Sequence, residues 1–74
     1  MRDVEITKEP VELYKILKFE GLVGSGGEAK SVINDGHVQV NGAVETQKRK
    51  KIMSGDVIVF NGEELKIVLP GVSK

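Results

Sequence analysis

The sequence contains no cysteine, no tryptophan and no long apolar run. Without cysteine, neither a disulfide framework nor a thiolate metal site can support the fold. No apolar segment approaches the roughly 20 residues that a membrane span requires, and the N-terminus lacks the apolar core of a signal peptide. We therefore expect a soluble, cytoplasmic protein that makes no contact with a membrane.

Residues that commonly perform catalysis are also scarce. The single histidine, His37, precedes a predicted strand and has no candidate nucleophile spaced around it. The carboxylates are scattered, and no group of them has the spacing of metal ligands. A chain of 74 residues leaves little room for a closed pocket. We therefore expect a non-enzymatic protein with no catalytic residues, no metal site and no cofactor.

The charges cancel overall but are unevenly distributed along the chain. Eleven basic and eleven acidic residues give a net charge of zero, which argues against bulk attraction to nucleic acid. Residues 1–37 carry seven acidic and five basic residues, whereas residues 38–74 carry four acidic and six basic ones. Four of these six are consecutive: Lys48, Arg49, Lys50 and Lys51. A local patch of this kind can act by itself, because exposed charges are felt over only about 8–10 Å at ordinary salt.

The stretch from Gly24 to Gly36 predicts a glycine loop followed by a short, capped helix. Ser25 suits the N-cap, and Glu28 stands three residues later, so the pair forms a capping box in which the glutamate reaches back to the cap. Gly36 can adopt the left-handed conformation that ends a helix. The buried face is predicted from apolar residues at helical spacing: Ala29, Val32 and Ile33.

The N-terminal part predicts a short strand followed by another helix. Val4–Ile6 alternates apolar and polar residues, as an edge strand does. Glu9-Pro10 interrupts it, and proline suits the first position of a helix, which we place at about Val11–Glu20. Gly21 or Gly24 can end this helix. Its apolar side is predicted at Leu13, Ile16, Leu17 and Phe19, with Lys15 and Lys18 on the opposite side.

The second half of the chain predicts strands joined by tight turns. Asn41-Gly42 and Asn61-Gly62 favour two-residue hairpin turns, because both central residues must tolerate positive φ. The predicted strands are 38–40, 43–44, 57–60 and 65–68, with a polar, irregular segment at 45–51 and a turn at 54–56. Pro70 is expected to end the sheet and residues 71–74 to form a loose tail.

This order of elements predicts one α+β domain over residues 1–74. Two helices pack on one face of a small antiparallel sheet of three to five strands. Exposed edges at residues 4–6 or 65–68 could pair two chains, but no sequence signal favours such pairing. We therefore expect a monomer.

The glycine loop before the second helix has two competing interpretations. Its N–H groups precede a helix, where anions bind, and Lys30 lies one turn on, so a nucleic-acid phosphate could dock there. Alternatively, the glycines only allow a tight turn between the helices, with Ser25 and Glu28 already capping the second one. A free nucleotide is disfavoured because the Walker spacing is absent.

The run Lys48–Lys51 is likewise open to two interpretations. In many proteins such a run is a solvated loop, but between two predicted strands it is held on one surface, which favours contact with nucleic-acid phosphates. Tyr14, Phe19 and Phe60 are the only aromatic residues, and we expect Phe19 and Phe60 in the core. Few aromatic side chains are therefore expected on the surface to stack with bases. Recognition of folded RNA through its backbone and shape fits the sequence better.

Four motifs follow one another along nearly the whole chain. They are Leu13-Tyr14-Lys15-Ile16-Leu17-Lys18, Ser25-Gly26-Gly27-Glu28-Ala29-Lys30, Gly36-His37-Val38-Gln39-Val40-Asn41-Gly42 and Gly55-Asp56-Val57-Ile58. In this order they resemble the S4 RNA-binding domain, which is named after a small-subunit ribosomal protein. The second motif and the chain length are most similar to the stand-alone bacterial YaaA/YbcJ-like subgroup. The resemblance implies an S4-like fold with an αL motif.

The resemblance also implies RNA binding across the two helices and the adjoining loop. Glu12 and Gly26 occupy two positions at which many family members have arginine. The residues implied by position, with Lys48 added from the charge run, are Lys15, Lys18, Ser25, Gly27, Lys30, Lys48, Arg49, Lys50 and Lys51.

We therefore predict a module that docks structured RNA, either ribosomal or transfer RNA, through its phosphates. The ribosome or ribosomal proteins are further candidate partners. The alternative is a protein-interaction module that uses the same fold without general RNA affinity. Zero net charge and the two missing cations favour this alternative.

Overall fold

The computed structural model describes residues 2–69. Pro70 and the predicted tail at 71–74 lie outside this range. The elements are β1 (Arg2–Glu5), β2 (Val11–Glu12), α1 (Leu13–Phe19), α2 (Gly26–Asn34), β3 (Val38–Val40), β4 (Ala43–Val44), β5 (Lys51–Ile52), β6 (Val57–Phe60) and β7 (Glu63–Val68).

Five strands form the main sheet, in the order β1-β7-β6-β3-β4. The pairs β3–β4, β3–β6 and β6–β7 are antiparallel. In contrast, β1 pairs with β7 in parallel, with Arg2 opposite Leu65 and Glu5 opposite Val68. A parallel pair requires a long crossover connection, which the helices and the other strands provide here. The predicted α+β fold of two helices and a small sheet is confirmed, but the sheet is mixed rather than wholly antiparallel.

The position of β7 corrects one expectation about the sheet edges. Residues 65–68 were predicted as a possible exposed edge, but β7 lies between β1 and β6 and is paired on both sides. Within the described residues, the edges of this sheet are β1 and the two-residue strand β4. Pairing of two chains through β7 is therefore excluded by the fold.

The core lies between the two helices and alternate residues of the strands. In β3 and β7, every second side chain is buried, as the two-residue period of a strand requires. The predicted helix positions are buried, apart from Val32, which is half-buried, and Phe19. The residues with no exposed surface are Leu13, Leu17, Ala29, Ile33, Val38, Ile52, Ile58, Leu65 and Ile67.

Both predicted Asn-Gly hairpin turns are confirmed. Asn41 and Gly42 have φ values of 53° and 86°, and Asn61 and Gly62 have values of 54° and 82°. Positive φ at both central residues is what a two-residue turn of this type requires. The predicted helix ends are confirmed as well, since α1 ends before Gly21 and α2 ends before Gly36.

The start of α1 differs from the prediction. Val11 and Glu12 were placed in the helix but form β2, in which Val11 pairs with Ile52 and Glu12 with Lys51. The helix therefore begins at Leu13, and Pro10 precedes the strand rather than opening the helix. The predicted irregular segment at 45–51 is confirmed as far as Lys50, whereas Lys51 belongs to β5.

Phe19 was expected in the core, but 69% of its surface is exposed. It is the last residue of α1 and lies about 200° around the helix axis from the buried Leu17 but only about 60° from the buried Ile16, so it sits at the margin of the apolar side. Phe60 is half-buried and packs against the core. Phe19 is therefore an aromatic residue on the protein surface.

Candidate nucleic-acid interface

Two backbone hydrogen bonds attach the basic loop to the start of α1. The Leu13 N–H donates to the Lys50 carbonyl over 2.9 Å, and the Tyr14 N–H donates to the Lys48 carbonyl over 3.1 Å. The first N–H groups of a helix have no partner within the helix, and Glu12 provides no side-chain cap here. The loop carbonyls therefore cap α1, and this cap holds the basic run in one place on the surface.

Two cationic side chains from separate parts of the chain lie near the ring of Tyr14. The Lys30 Nζ atom of α2 lies 4.8 Å from the ring centroid, and the Arg49 Cζ atom of the basic loop lies 5.9 Å from it. Both distances allow cation–π attraction. We call Tyr14, Lys30 and Arg49 the Tyr14 cluster.

The Tyr14 cluster adjoins the N-terminus of α2. A Cβ atom added at Gly26 would lie 4.0 Å from Tyr14 Cε2, so the ring stands directly beside this glycine. From the sequence, Tyr14 is expected only as one of three aromatic residues and as a member of the first motif. No local signal could have placed it in a site, because its neighbours come from α2 and from the loop before β5.

The predicted capping box at α2 is present with one change. The Ser25 Oγ atom accepts a 3.1 Å hydrogen bond from the Glu28 N–H. The Glu28 carboxylate accepts a 2.7 Å hydrogen bond from the Gly24 N–H, one residue before the predicted partner. Within residues 2–69, the N–H groups of Gly26 and Gly27 form no hydrogen bond. Two donors therefore remain open at the positive end of the helix.

Backbone conformation does not explain the glycines of this loop. Gly24, Gly26 and Gly27 are absent from the set of glycines with positive φ. A Cβ atom at Gly27 would meet only Ser25 Oγ, at 3.8 Å, which is ordinary contact. Glycine inside a helix costs about 0.5–1 kcal/mol relative to alanine. A Cβ atom at Gly24 would lie 3.2 Å from Glu28 Oε1, so the capping box gives this glycine a structural reason. The bare N–H groups of Gly26 and Gly27 suit an approaching anion.

The other predicted residues divide between two surfaces. Lys18 follows Tyr14 by four positions, so the two share a face of α1. Lys15 and Lys51 line a separate open groove next to Phe19. Lys15 Nζ lies 3.6 Å from the Glu12 carboxylate, which offsets part of its charge. The structure thus brings Lys30 and Arg49 together beside Ser25 and Gly27, with Lys48 and Lys50 attached through their backbone, and sets Lys15 and Lys51 apart.

Other kinds of site receive no support from the described chain. Within residues 2–69, no three histidine or acidic side chains are grouped so that they could hold a metal ion. Over the same range, neither helix has the length and apolar character needed to cross a bilayer.

Comparison with known proteins identifies relatives over nearly the whole chain. The family model of the S4 domain matches residues 4–68. The chain is 45% identical over 69 residues to "Putative RNA-binding protein YbcJ" of Escherichia coli (strain K12). This alignment covers 92% of this chain and 99% of that protein. It is 30% identical over 59 residues to "Probable ribosome maturation protein RlbA" of Bacillus subtilis (strain 168), covering 80% of this chain and 83% of that protein.

A solved structure shows the same fold. The solution structure of Escherichia coli YbcJ is described as revealing a recently discovered αL motif involved in RNA binding. It matches with a TM-score of 0.69 at 45% identity, covering 89% of this chain and 85% of that chain. Both the motifs in the sequence and the matched fold therefore lead to one assignment: the chain belongs to the S4 domain family.

Proposed function

We propose that this protein is a non-enzymatic module that binds structured RNA through its phosphates. The observation that carries the proposal is the Tyr14 cluster, in which cations from α2 and from the basic loop share one ring beside the open N-terminus of α2. The names of YbcJ and of its αL motif support RNA as the ligand.

The chemistry of this surface suits a phosphate backbone. Lysine and arginine neutralise phosphates and release counterions, and the N–H groups of Gly26 and Gly27 offer neutral donors at the positive end of a helix. Cations beside a single ring, without a row of stacking rings, favour recognition by shape. Ribosomal or transfer RNA in the cytoplasm is the proposed target, and the name of RlbA favours ribosomal RNA.

The proposal is tested by removing the two cations of the Tyr14 cluster. Lys30→Gln with Arg49→Gln should weaken binding of a structured hairpin RNA regardless of its sequence. The slope of log affinity against log salt should become shallower by about 1.4–1.8, because two phosphate contacts are lost. Fluorescence anisotropy over a series of salt concentrations measures both effects.

A matched control changes the net charge equally at another place. Arg2→Gln with Lys66→Gln removes two cations from β1 and β7, which are on the sheet. This control should keep the wild-type salt slope. An equal change of slope in both double variants, or no change in either, would refute the proposed site.

A protein-interaction module remains the second candidate. Val44 on the edge strand β4 exposes 58% of its surface, which would suit a partner docking on the sheet. A partner that survives nuclease treatment, together with no RNA binding at low salt, would favour this function over RNA binding.

A further inference from the structure

Phe19 stands between two open depressions of different character. One is lined mainly by apolar residues, among them Val4, Ile6 and Ile16, and also by Glu5 and Glu20. The other, which we call the Phe19 groove, contains Phe19 with Lys8, Lys15 and Lys51. Phe19 exposes 69% of its surface. An aromatic face is therefore presented to solvent beside three basic side chains.

The two carboxylates of the Phe19 groove are already engaged. Glu9 Oε2 accepts a 2.6 Å hydrogen bond from the Ser54 N–H, and the Glu12 carboxylate lies 3.6 Å from Lys15 Nζ. Over residues 2–69, neither Lys8 nor Lys51 forms an ion pair. The groove's three lysines and two glutamates leave a net charge of +1, and the two lysines without an ion pair lie near an exposed aromatic residue. This combination favours an anionic ligand with a flat, apolar part.

The Phe19 groove meets the basic run at one residue. Lys51 is the last residue of the basic run and also lines the groove. Its strand β5 is paired with β2, which leads into α1, and the same loop caps α1 beside Tyr14. A ligand that contacts the basic run at Lys51 would therefore also contact the Phe19 groove.

We propose that the Phe19 groove holds an unpaired nucleotide of the bound RNA. Its base stacks on the Phe19 ring, and its phosphate lies near Lys51 and Lys8. This inference rests on the proposed RNA-binding function and adds a preference for RNA with a bulged or looped-out base. Stacking of one base on an aromatic side chain typically changes affinity by about 5- to 100-fold.

The test compares two hairpin RNAs that differ only in a single bulged nucleotide in the stem. Phe19→Ala should lower affinity for the bulged hairpin about 5- to 100-fold and leave affinity for the fully paired hairpin unchanged. Val44→Ala, at another exposed apolar residue, should bind both RNAs as the wild type does. Folding is not at risk, because the Phe19 ring lies outside the core.

A second variant reports on stacking directly. The chain has no tryptophan, so Phe19→Trp places a single, selectively excitable tryptophan in the groove and keeps an aromatic face. Its fluorescence should be quenched by saturating bulged hairpin and not by the paired one, and its affinity should match the wild type.

The outcomes separate this inference from the proposed function. If the bulged RNA binds but Phe19→Ala has no effect and Phe19→Trp is not quenched, the nucleotide site is wrong while RNA binding stands. Equal weakening for both RNAs in Phe19→Ala would also overturn the unpaired-nucleotide site. If the wild type binds neither hairpin at low salt, RNA binding itself is wrong, and Phe19 becomes a candidate contact for a protein.

Discussion

The side-chain amide of Asn41 donates a 3.1 Å hydrogen bond to the carboxylate of Asp56. The Asn41 Oδ1 atom also accepts a 2.9 Å hydrogen bond from the Val57 N–H. The other carboxylate oxygen of Asp56 accepts a 2.9 Å hydrogen bond from the Met53 N–H. Two motifs that are separate in the sequence, Val-x-Val-Asn-Gly and Gly-Asp, are therefore parts of one hydrogen-bond network that joins two turns.

Asn41→Ala should destabilise the fold by about 1–3 kcal/mol, because it removes two side-chain hydrogen bonds and a residue type that tolerates positive φ. Asn61 provides a matched control. It has nearly the same φ, 54° against 53°, but within residues 2–69 its side chain forms no hydrogen bond. Urea unfolding should therefore show a smaller loss for Asn61→Ala, and equal losses would contradict a role for the network.

Tyr14→Leu should separate Lys30 and Arg49 from their shared ring, whereas Tyr14→Phe keeps the aromatic face. Cation–π pairs at exposed sites contribute about 0.5–1 kcal/mol each. A double-mutant cycle of Tyr14→Leu with Lys30→Met, followed by urea unfolding, should give a coupling energy of about 0.5–1 kcal/mol. The same cycle made with Tyr14→Phe should give a coupling energy close to zero, because phenylalanine keeps the aromatic face. Zero coupling in the leucine cycle would mean that the ring and the ammonium do not interact.

Gly27→Ala should have opposite effects on stability and on RNA binding. Alanine should stabilise α2 by about 0.5–1 kcal/mol, since the added methyl group meets only Ser25 Oγ at 3.8 Å. The same methyl group restricts access to the open N–H groups, so RNA affinity should fall. Asn34→Ala, at the opposite end of α2, should stabilise the helix without affecting RNA binding. Wild-type RNA affinity in Gly27→Ala would exclude this helix end from the interface.

Hydrogen bonding to the Ser54 side chain and backbone holds the pKa of Glu9 below the usual value of a glutamate. Because the pKa is lower in the folded protein than in the unfolded chain, this link contributes stability above the unfolded pKa and is lost as the pH falls through the folded pKa. NMR titration of the side-chain carboxyl should show the lowered pKa. Glu9→Gln should remove the corresponding part of the acid dependence in urea unfolding, and an unchanged acid dependence would contradict the link.

Local signals were sufficient for the turns and the helix ends. The two Asn-Gly turns and the Ser25 cap depend on residues within four positions of each other, so the sequence alone contains their determinants. The start of α1 could not be predicted in the same way. Val11 forms a strand by pairing with Ile52, and this partner is too far along the sequence for a local pattern to indicate it.

The candidate site was less predictable because its parts come from distant segments. The sequence shows the charges of Lys30 and Arg49, but it does not show that both side chains lie beside the ring of Tyr14. Helical spacing also suggested a buried Phe19, whereas α1 has only seven residues and turns this side chain to solvent. The residue types of the site could thus be anticipated, but the two surfaces on which they lie could not.

The parallel pairing of β1 with β7 has a consequence for synthesis of the protein on the ribosome. Arg2 pairs with Leu65, which is 63 residues later in the chain. At ordinary rates of elongation, the ribosome needs about 3–13 s to synthesise the residues between them. During that interval, Val4 has no sheet to cover it. Asp3 and Glu5 flank Val4 and place charges along the waiting strand, which discourages pairing with other nascent chains. The two carboxylates beside Val4 therefore shield a strand that is synthesised well before the strand that pairs with it.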